Sequence, residues 1–469
     1  MQPTVPIIGG LPLVGSLPGF LRDPLATLQR AAADSDVSRL RLGFVDAVTL
    51  HHPEHAEHVL RKHQRKYTKD GPLWSSVRSL VGNGLPASQG DFWLRQRRMM
   101  QPQFHRRALE GLAGLVVDAI DRSLDWDEVS TDWGVVDLGP RMPLLTMQVV
   151  SAAMMGSSVS PQQAALVGRE LGYATEHMFR AMLTDSLPRW LPMPGRRRFE
   201  DAVQSLRRIV GSIIADRRRR SDGSDDDLLA LMIAATDEDT GEGMTDEQLL
   251  DETLSLFLAG YETTATGLQW ALQLLVDHPE HLGRLREEAD SVLRGCLPRF
   301  GDLRRLPYAR WVMQEALRLY PPAWWIPRTA LEDDEIGGYR IPAGSMVAPV
   351  TYTIHRNPAF WARPERFDPE RFDPSRAAQR HPLAWLPFGA GPRQCIGKEL
   401  SLMEATFALS LIVQRFELAS VGPAPRPRLN MVLRPEHSVR LLARRRPPRR
   451  RAATLPWFPS SDSSSAMTM

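Results

Sequence analysis

The stretch from Thr245 to Pro279 restricts the fold more than any other part of this sequence. Thr245 and Gln248 stand three residues apart ahead of an apolar run, the arrangement of a capping box, and a helical pattern continues from there to Pro279. About 32 residues of helix reach roughly 48 Å at 1.5 Å per residue. Leu254, Leu256, Phe257, Leu258, Leu268, Trp270, Leu274 and Leu275 place apolar side chains on most of its faces, and a helix apolar all round is buried. Glu262 and the neighbouring threonines argue against a membrane span, so the rest of the chain has to cover this helix.

The helix carries Ala259-Gly-Tyr-Glu-Thr-Thr264 near its centre. Glycine inside a helix costs about 1 kcal/mol relative to alanine, so Gly260 is expected to mark close approach by a ligand. Thr263 can return a hydrogen bond to the carbonyl of Ala259, four residues earlier, and open the helix locally. Its hydroxyl, with Glu262 beside it, can then hold water and relay protons. For the hexapeptide alone, a helix kink with a satisfied polar cluster is the competing reading.

A second stretch, Phe388-Gly-Ala-Gly-Pro-Arg-Gln-Cys-Ile-Gly397, surrounds one of only two cysteines. Gly389, Gly391 and Gly397 allow tight turns because glycine tolerates positive φ. Such turns aim backbone N–H groups at the Cys395 sulfur, and donors of that kind tune a thiolate that ligates a metal. On haem iron a thiolate pushes electron density toward the metal and favours O–O cleavage. Arg393 can reach an anionic cofactor edge. A lone cysteine is more often a small buried hydrophobe, and by itself Cys395 leaves both readings open.

Three further groupings stand at informative spacings. Trp93 and Arg97 are four apart on a basic helix and share a face. Glu315 and Arg318 form an i,i+3 pair among Trp311, Val312, Leu317 and Leu319, so the pair is a candidate for burial and would then need more partners. Pro369-Glu-Arg-Phe372 offers one. Between them lies Pro321-Pro-Ala-Trp-Trp-Ile-Pro-Arg328.

Taken in order, Trp93 and Arg97, Ala259 to Thr264, Glu315 and Arg318, Arg371, and the set Phe388, Gly391, Arg393, Cys395 and Gly397 resemble the motifs of the cytochrome P450 family. The resemblance covers about residues 5 to 443, with no motif position substituted. It implies a mainly α fold with small β-sheets, organised as one large helical domain. It implies haem b (iron protoporphyrin IX), with Cys395 as axial ligand of the iron and Arg97, Arg328 and Arg393 on the propionates. Trp93, Phe388, Gly391, Gly397, Ala259 and Gly260 would also meet the cofactor. Thr263 and Glu262 would serve dioxygen activation. Glu315, Arg318 and Arg371 would form a triad for folding and haem retention. Trp74, Tyr261, Trp324, Trp325 and Ile326 would wall the substrate pocket, although a double tryptophan equally suits plain core.

The implied activity places one oxygen atom from O2 into an apolar small molecule. No flavin or iron–sulfur motif follows the haem domain, so the electrons would come from a ferredoxin and its reductase. Arg95, Arg98, Arg106 and Arg107 offer a docking face for an acidic donor. Gly71-Pro-Leu-Trp74, Arg95 to Arg98 with Gln101 to His105, and Leu319 to Trp324 are similar to the corresponding stretches of actinobacterial terpenoid oxidases, which makes a terpenoid or another secondary-metabolite intermediate the leading substrate. Fatty acids and polyketides remain open. The alternatives are a peroxide-driven relative and a haem-thiolate sensor without turnover; the intact Glu262 and Thr263 argue against both.

Composition excludes more than it assigns. With 58 basic and 55 acidic residues the net charge is +3, which gives no sign of a nucleic-acid binder. Two cysteines argue against a disulfide framework and suit a reducing, cytoplasmic setting. The first twenty residues are apolar and rich in proline and glycine, with no basic leader, and read as a hinge rather than a membrane anchor. Residues 21–443 are expected to form the haem domain and 444–469, basic and serine-rich, a disordered tail.

The connecting stretches carry plainer expectations. Ser38 to Leu42 and Ala47 to His51 suggest a hairpin. His51 to His58 suggests a solvated helix start around Pro53. Gly71 to Gln89 looks like a loop over the cofactor. Arg141 to Arg220 is helical with a break at Leu187 to Gly195, either a simple connection or a lid. Ser221 to Asp227 suggests a surface loop, and Glu399 to Phe416 an amphipathic helix.

Overall fold

The computed structural model describes residues 3–8, 15–42, 45–156, 161–184, 195–220 and 227–447. The longer helices, numbered in chain order, are α1 (Pro24–Asp34), α2 (Pro72–Val81), α3 (Gly90–Met100), α4 (Arg106–Ser123), α5 (Leu138–Met155), α6 (Pro161–Thr184), α7 (Arg196–Arg220), α8 (Asp246–Asp277), α9 (Pro279–Leu293), α10 (Pro307–Leu319) and α11 (Lys398–Arg415). Helix α8 is the axis of the molecule. The capping box forms as expected: the Thr245 hydroxyl accepts from the Gln248 N–H at 3.2 Å, and the Gln248 amide oxygen accepts from the Thr245 N–H at 2.8 Å. Helices α2, α5, α7, α9, α10 and α11 all pack against α8, and its residues from Thr264 to Val276 are buried without a break.

A five-stranded sheet flanks this body. Its strands are β1 (Val37–Leu42), β2 (Val45–Leu50), β3 (Tyr67–Thr68), β4 (Arg328–Ala330) and β5 (Met346–Pro349), arranged β1-β2-β5-β4-β3. β1 and β2 form the expected hairpin, with Val37 opposite Leu50, and β2 runs parallel to β5. A second sheet joins Gly134–Asp137, Arg440–Arg445 and Phe416–Ser420. Among the described residues no helix is long and apolar enough to cross a membrane.

Several expectations change once the chain is folded. The supposed loop at 71–89 contains α2, which starts at Pro72 and is bounded by Gly71 at φ +101° and Gly82 at φ +58°. Leu73, Val77, Leu80 and Val81 recur at helical spacing and are buried; Gly82 caps this helix, and Gly84 and Pro86 follow it. His51 is not solvated: it is buried and bonded to Ser38 at 2.9 Å and to Thr353 at 2.8 Å. Helix α11 is not amphipathic, because every residue from Leu402 to Val413 is buried. Asp227 is buried, accepts from the Ala230 N–H at 3.0 Å and pairs with Arg217 at 2.7 Å. Arg444 and Arg445 continue a strand, and Arg446 pairs with Asp290 at 2.8 Å, so the folded body runs past residue 443. The break at 187–194, the loop at 221–226 and the tail from 448 onward lie outside the described residues.

Candidate active site

A cavity of about 380 Å³ lies between α8, the Pro322–Arg328 segment and the turn that leads into α11. Cys395 faces it. The turn is closed by the Cys395 N–H, which donates to the Phe388 carbonyl at 2.9 Å, and by Gly389 and Gly391 at φ +68° and +72°. Burial raises the thiol above its ordinary value, while the Gly397 N–H on the sulfur and the charges of Arg97, Lys398 and Lys69 pull it down. Cys395 therefore is not packed away as a small hydrophobe; its sulfur is presented to an open space.

Four cations gather beside it. The Arg97 guanidinium donates to the Gln394 carbonyl at 3.0 Å and to Gln101 at 3.1 Å. Arg328 is buried and donates to the Pro327 carbonyl at 2.9 Å. Arg393 donates to the Ser88 carbonyl at 2.9 Å and lies 4.2 Å from the centre of the Trp93 ring. Lys69 donates to the Pro86 carbonyl at 2.8 Å and sits 4.5 Å over Trp74. None of the four pairs with a carboxylate among the described residues. Burial pulls Arg328 down to about 9 and Arg393 down to about 10. Lys69 falls well below its usual value through burial and the nearby charges of Arg328 and Arg393. Arg328 is buried and the other three are partly buried; cations drawn out of water without counter-ions are costly unless an anion joins them, so the cluster calls for an anionic ligand. Other parts of the lining are apolar, with Phe104, Val150, Ala153 and Met154 among them. A large apolar ring system with acidic groups on one edge fits this wall, and haem is such a group.

Lys69 was not singled out in the sequence. It is one of only four lysines in an arginine-rich chain and closely precedes Gly71, a signal visible only once the chain is known to turn there.

On the opposite wall, Thr263 faces the cavity and its hydroxyl donates to the Ala259 carbonyl at 2.6 Å, as the four-residue spacing predicts. Gly260 lines the cavity, as the ligand-approach expectation requires, and has a second role. A Cβ at this position would come within 2.7 Å of Val150 on α5, so the glycine also permits helix–helix approach. Glu262 does not line the cavity. Burial raises its carboxyl, Arg434 and the Thr175 hydroxyl act in the other direction, and its Oε2 is buried without a partner.

The pocket residues divide. Trp74, Trp325 and Ile326 line the cavity. Tyr261 and Trp324 do not. Tyr261 is buried with its hydroxyl near Thr175 and Gly172 of α6: successive helical residues diverge by about 100°, so it cannot share Gly260's aspect. Trp324 is 2% exposed, donates to the Asn430 carbonyl at 3.0 Å and supports Trp325 by stacking at 4.5 Å.

The buried-pair expectation for Glu315 and Arg318 holds geometrically. Both side chains are fully buried, with two hydrogen bonds of 2.7 and 2.8 Å between them. Arg318 also donates to the carbonyls of His355, Pro364 and Arg366, and Arg371 lies 3.3 Å from Glu315. Of the four arginines suggested as a docking face, two are engaged within the chain: Arg95 pairs with Glu242 at 3.3 Å, and Arg98 with Asp237 at 2.9 Å.

The profile of the family described as "Cytochrome P450" matches residues 3–443. The chain is 36% identical over 430 residues to cyclooctatin synthase of Streptomyces melanosporofaciens, covering 91% of this chain and 92% of that protein. It is 35% identical to cyclooctat-9-en-7-ol 5-monooxygenase of the same organism, covering 88% and 89%. With pentalenene oxygenase of Streptomyces avermitilis the identity is 32%, covering 87% and 90%. Among solved structures it is similar to the heme domain of cytochrome P450DA, with a TM-score of 0.86 and 28% identity, covering 96% of this chain and 99% of that one.

Proposed function

This chain belongs to the cytochrome P450 family and is a haem-dependent monooxygenase; from that premise we propose that it hydroxylates a terpenoid, or a similarly apolar secondary-metabolite intermediate, in the cytoplasm. The observation that carries this reading is the cavity itself: an open thiol on one wall, a threonine bonded back into its own helix on the other, and at the rim four cations with no carboxylate partner among the described residues. The terpenoid assignment is supported by the apolar lining and by relatives whose names denote terpenoid oxidation.

In this reading the cofactor is haem b, held without covalent attachment, and when bound it supplies the centre at which dioxygen is reduced and cleaved. Cys395 holds the iron as a thiolate, and the Gly397 N–H tempers the charge on its sulfur. Arg97, Arg328, Arg393 and Lys69 bind the propionates, with Trp93 bracing Arg393. The Thr263 hydroxyl moves protons into the cavity, and Glu262 supplies them from the other side of α8. Trp74, Trp325 and Ile326 exclude water and present an apolar surface to the substrate. Glu315, Arg318 and Arg371 keep the cofactor-binding body folded. Electrons arrive from a separate ferredoxin and its reductase. The two unpaired cysteines suit the reducing compartment this requires.

The test is the carbon monoxide difference spectrum of the reduced protein, followed by titration of a sesquiterpene and diterpene panel into the ferric form. A long-wavelength Soret band that disappears in Cys395→Ala, and a high-spin shift with one terpenoid class, are expected. A band that survives Cys395→Ala overturns the ligand assignment, and a shift only with fatty acids overturns the substrate class. NADH consumption with a surrogate ferredoxin system tests the electron route.

A further inference from the structure

Between α2 and α3 the chain passes through 82–88, and the hydrogen bonds of this strap leave it in two directions. On one side the Asn83 N–H donates to the Asp251 carboxylate at 2.8 Å and the Leu85 N–H to the Glu252 carboxyl at 2.9 Å, both on α8. On the other side the Pro86 carbonyl accepts from Lys69 at 2.8 Å and the Ser88 carbonyl from Arg393 at 2.9 Å. The N–H groups of Gly84, Ala87 and Ser88 close on the carbonyls of Val81 and Gly84. The strap lies directly on α8: a Cβ on Gly82 would strike the Asp251 carboxylate, and one on Gly84 the Ser255 hydroxyl. Glu252 is 1% exposed, its Oε1 has no hydrogen-bond partner, and the Leu85 N–H is the one hydrogen bond its carboxyl makes among the described residues. Asp251 is buried too and is gripped from α7 by Arg207 at 2.8 Å. Burying two adjacent acids is costly, and an underused buried carboxyl is explained by what its single bond holds.

We propose that Asp251 and Glu252 are positioning residues for the cofactor: through 82–88 they hold Lys69 and Arg393 where the acidic edge of the cofactor is bound. The inference rests on the reading that these two cations meet the propionates. Lys69 and Arg393 stand close enough to repel one another, so the pair needs fixed acceptors to stay together before an anion arrives. The Pro86 and Ser88 carbonyls are those acceptors, and they follow Leu85 by one and three residues. A strap that slid along α8 would carry both carbonyls with it and let the cations part. The two acids prevent this by seizing amides at Asn83 and Leu85, and Arg207 fixes Asp251 while they do so.

The test compares the haem-loaded wild type with Glu252→Leu, Glu252→Gln and Lys69→Met. Leucine keeps bulk and removes the acceptor. Burial raises Glu252 to about 8, so at neutral pH it is an uncharged acid that glutamine reproduces. In Glu252→Leu, hydrogen exchange at the Leu85 amide is expected to quicken, and the reduction potential to fall as positive charge drifts from the haem. Haem transfer to apomyoglobin is expected to speed up by roughly tenfold, the size of one lost hydrogen bond. Glu252→Gln is expected to restore all three. In a Lys69→Met background, Glu252→Leu is expected to move the potential less than it does alone, because both changes act on one cluster. Asp251→Ala frees the Asn83 amide and is expected to act in the same direction, which decides the question if Glu252→Leu does not fold. Faster exchange with an unchanged potential and haem transfer, or a glutamine variant that behaves like leucine, overturns the proposal. A Lys69→Met enzyme with wild-type potential and haem transfer instead overturns the propionate reading for Lys69, while exchange at Leu85 still judges the tie to α8.

Discussion

Gly391 illustrates how much of the site rests on single residues. Its φ of +72° lies in the left-handed region, and a Cβ there would collide with the Leu60 carbonyl oxygen. Gly391→Ala is expected to destabilise the holoenzyme by about 1–3 kcal/mol and to lower its haem content, read from denaturant unfolding and from the haem-to-protein absorbance ratio. Glu315 acts through charge rather than shape. Removing it leaves Arg318 and Arg371 buried with only carbonyl partners, so Glu315→Ala is expected to cost about 3–5 kcal/mol. Unfolding midpoints in urea check this, and a loss below 1 kcal/mol would contradict the buried-triad account.

At the scale of elements, the contact between α5 and α8 shapes the cavity. Gly260→Ala would push a methyl against Val150, which itself lines the cavity, and overpacking of this kind costs about 1–3 kcal/mol. The expected result is lower stability and weaker substrate-induced spin shift. Val150→Ala in the same chain should recover much of both, because the two residues share one contact. A double variant no better than the single one would place the effect elsewhere. Helix α2 teaches a related lesson. Its apolar spacing was in the sequence, but its terminal glycines and proline disguised it as a loop, and short helices carry too few turns to outweigh such punctuation.

For the whole molecule, two buried groups set opposite slopes of stability with pH. Burial raises Glu252 from 4.5 to about 8. The folded state keeps a proton that the unfolded chain releases, so stability falls as pH rises across that window, by up to about 1.4 kcal/mol per unit. Burial lowers His51 from 6.5 to about 3; here the unfolded chain binds the extra proton, and stability falls as pH drops from 6.5 toward 3. The two slopes oppose each other between 4.5 and 6.5. Glu252→Gln, which can still accept the Leu85 N–H, is expected to flatten the decline between pH 6.5 and 8, measured as the melting temperature at each pH.

The sequence by itself determined the long buried helix, its capping box, the Thr263 return bond, the Cys395 turn and the burial of Glu315 with Arg318. Each is encoded by residues within one or two turns of one another, where spacing alone fixes geometry. Only the tertiary structure decided that Tyr261 and Trp324 belong to the core, that Gly260 answers to Val150, that Lys69 joins the cation cluster and that Glu404 opens into the cavity. Those outcomes depend on which face of an element meets a neighbour remote in the chain, and periodicity locates a face without saying what will cover it.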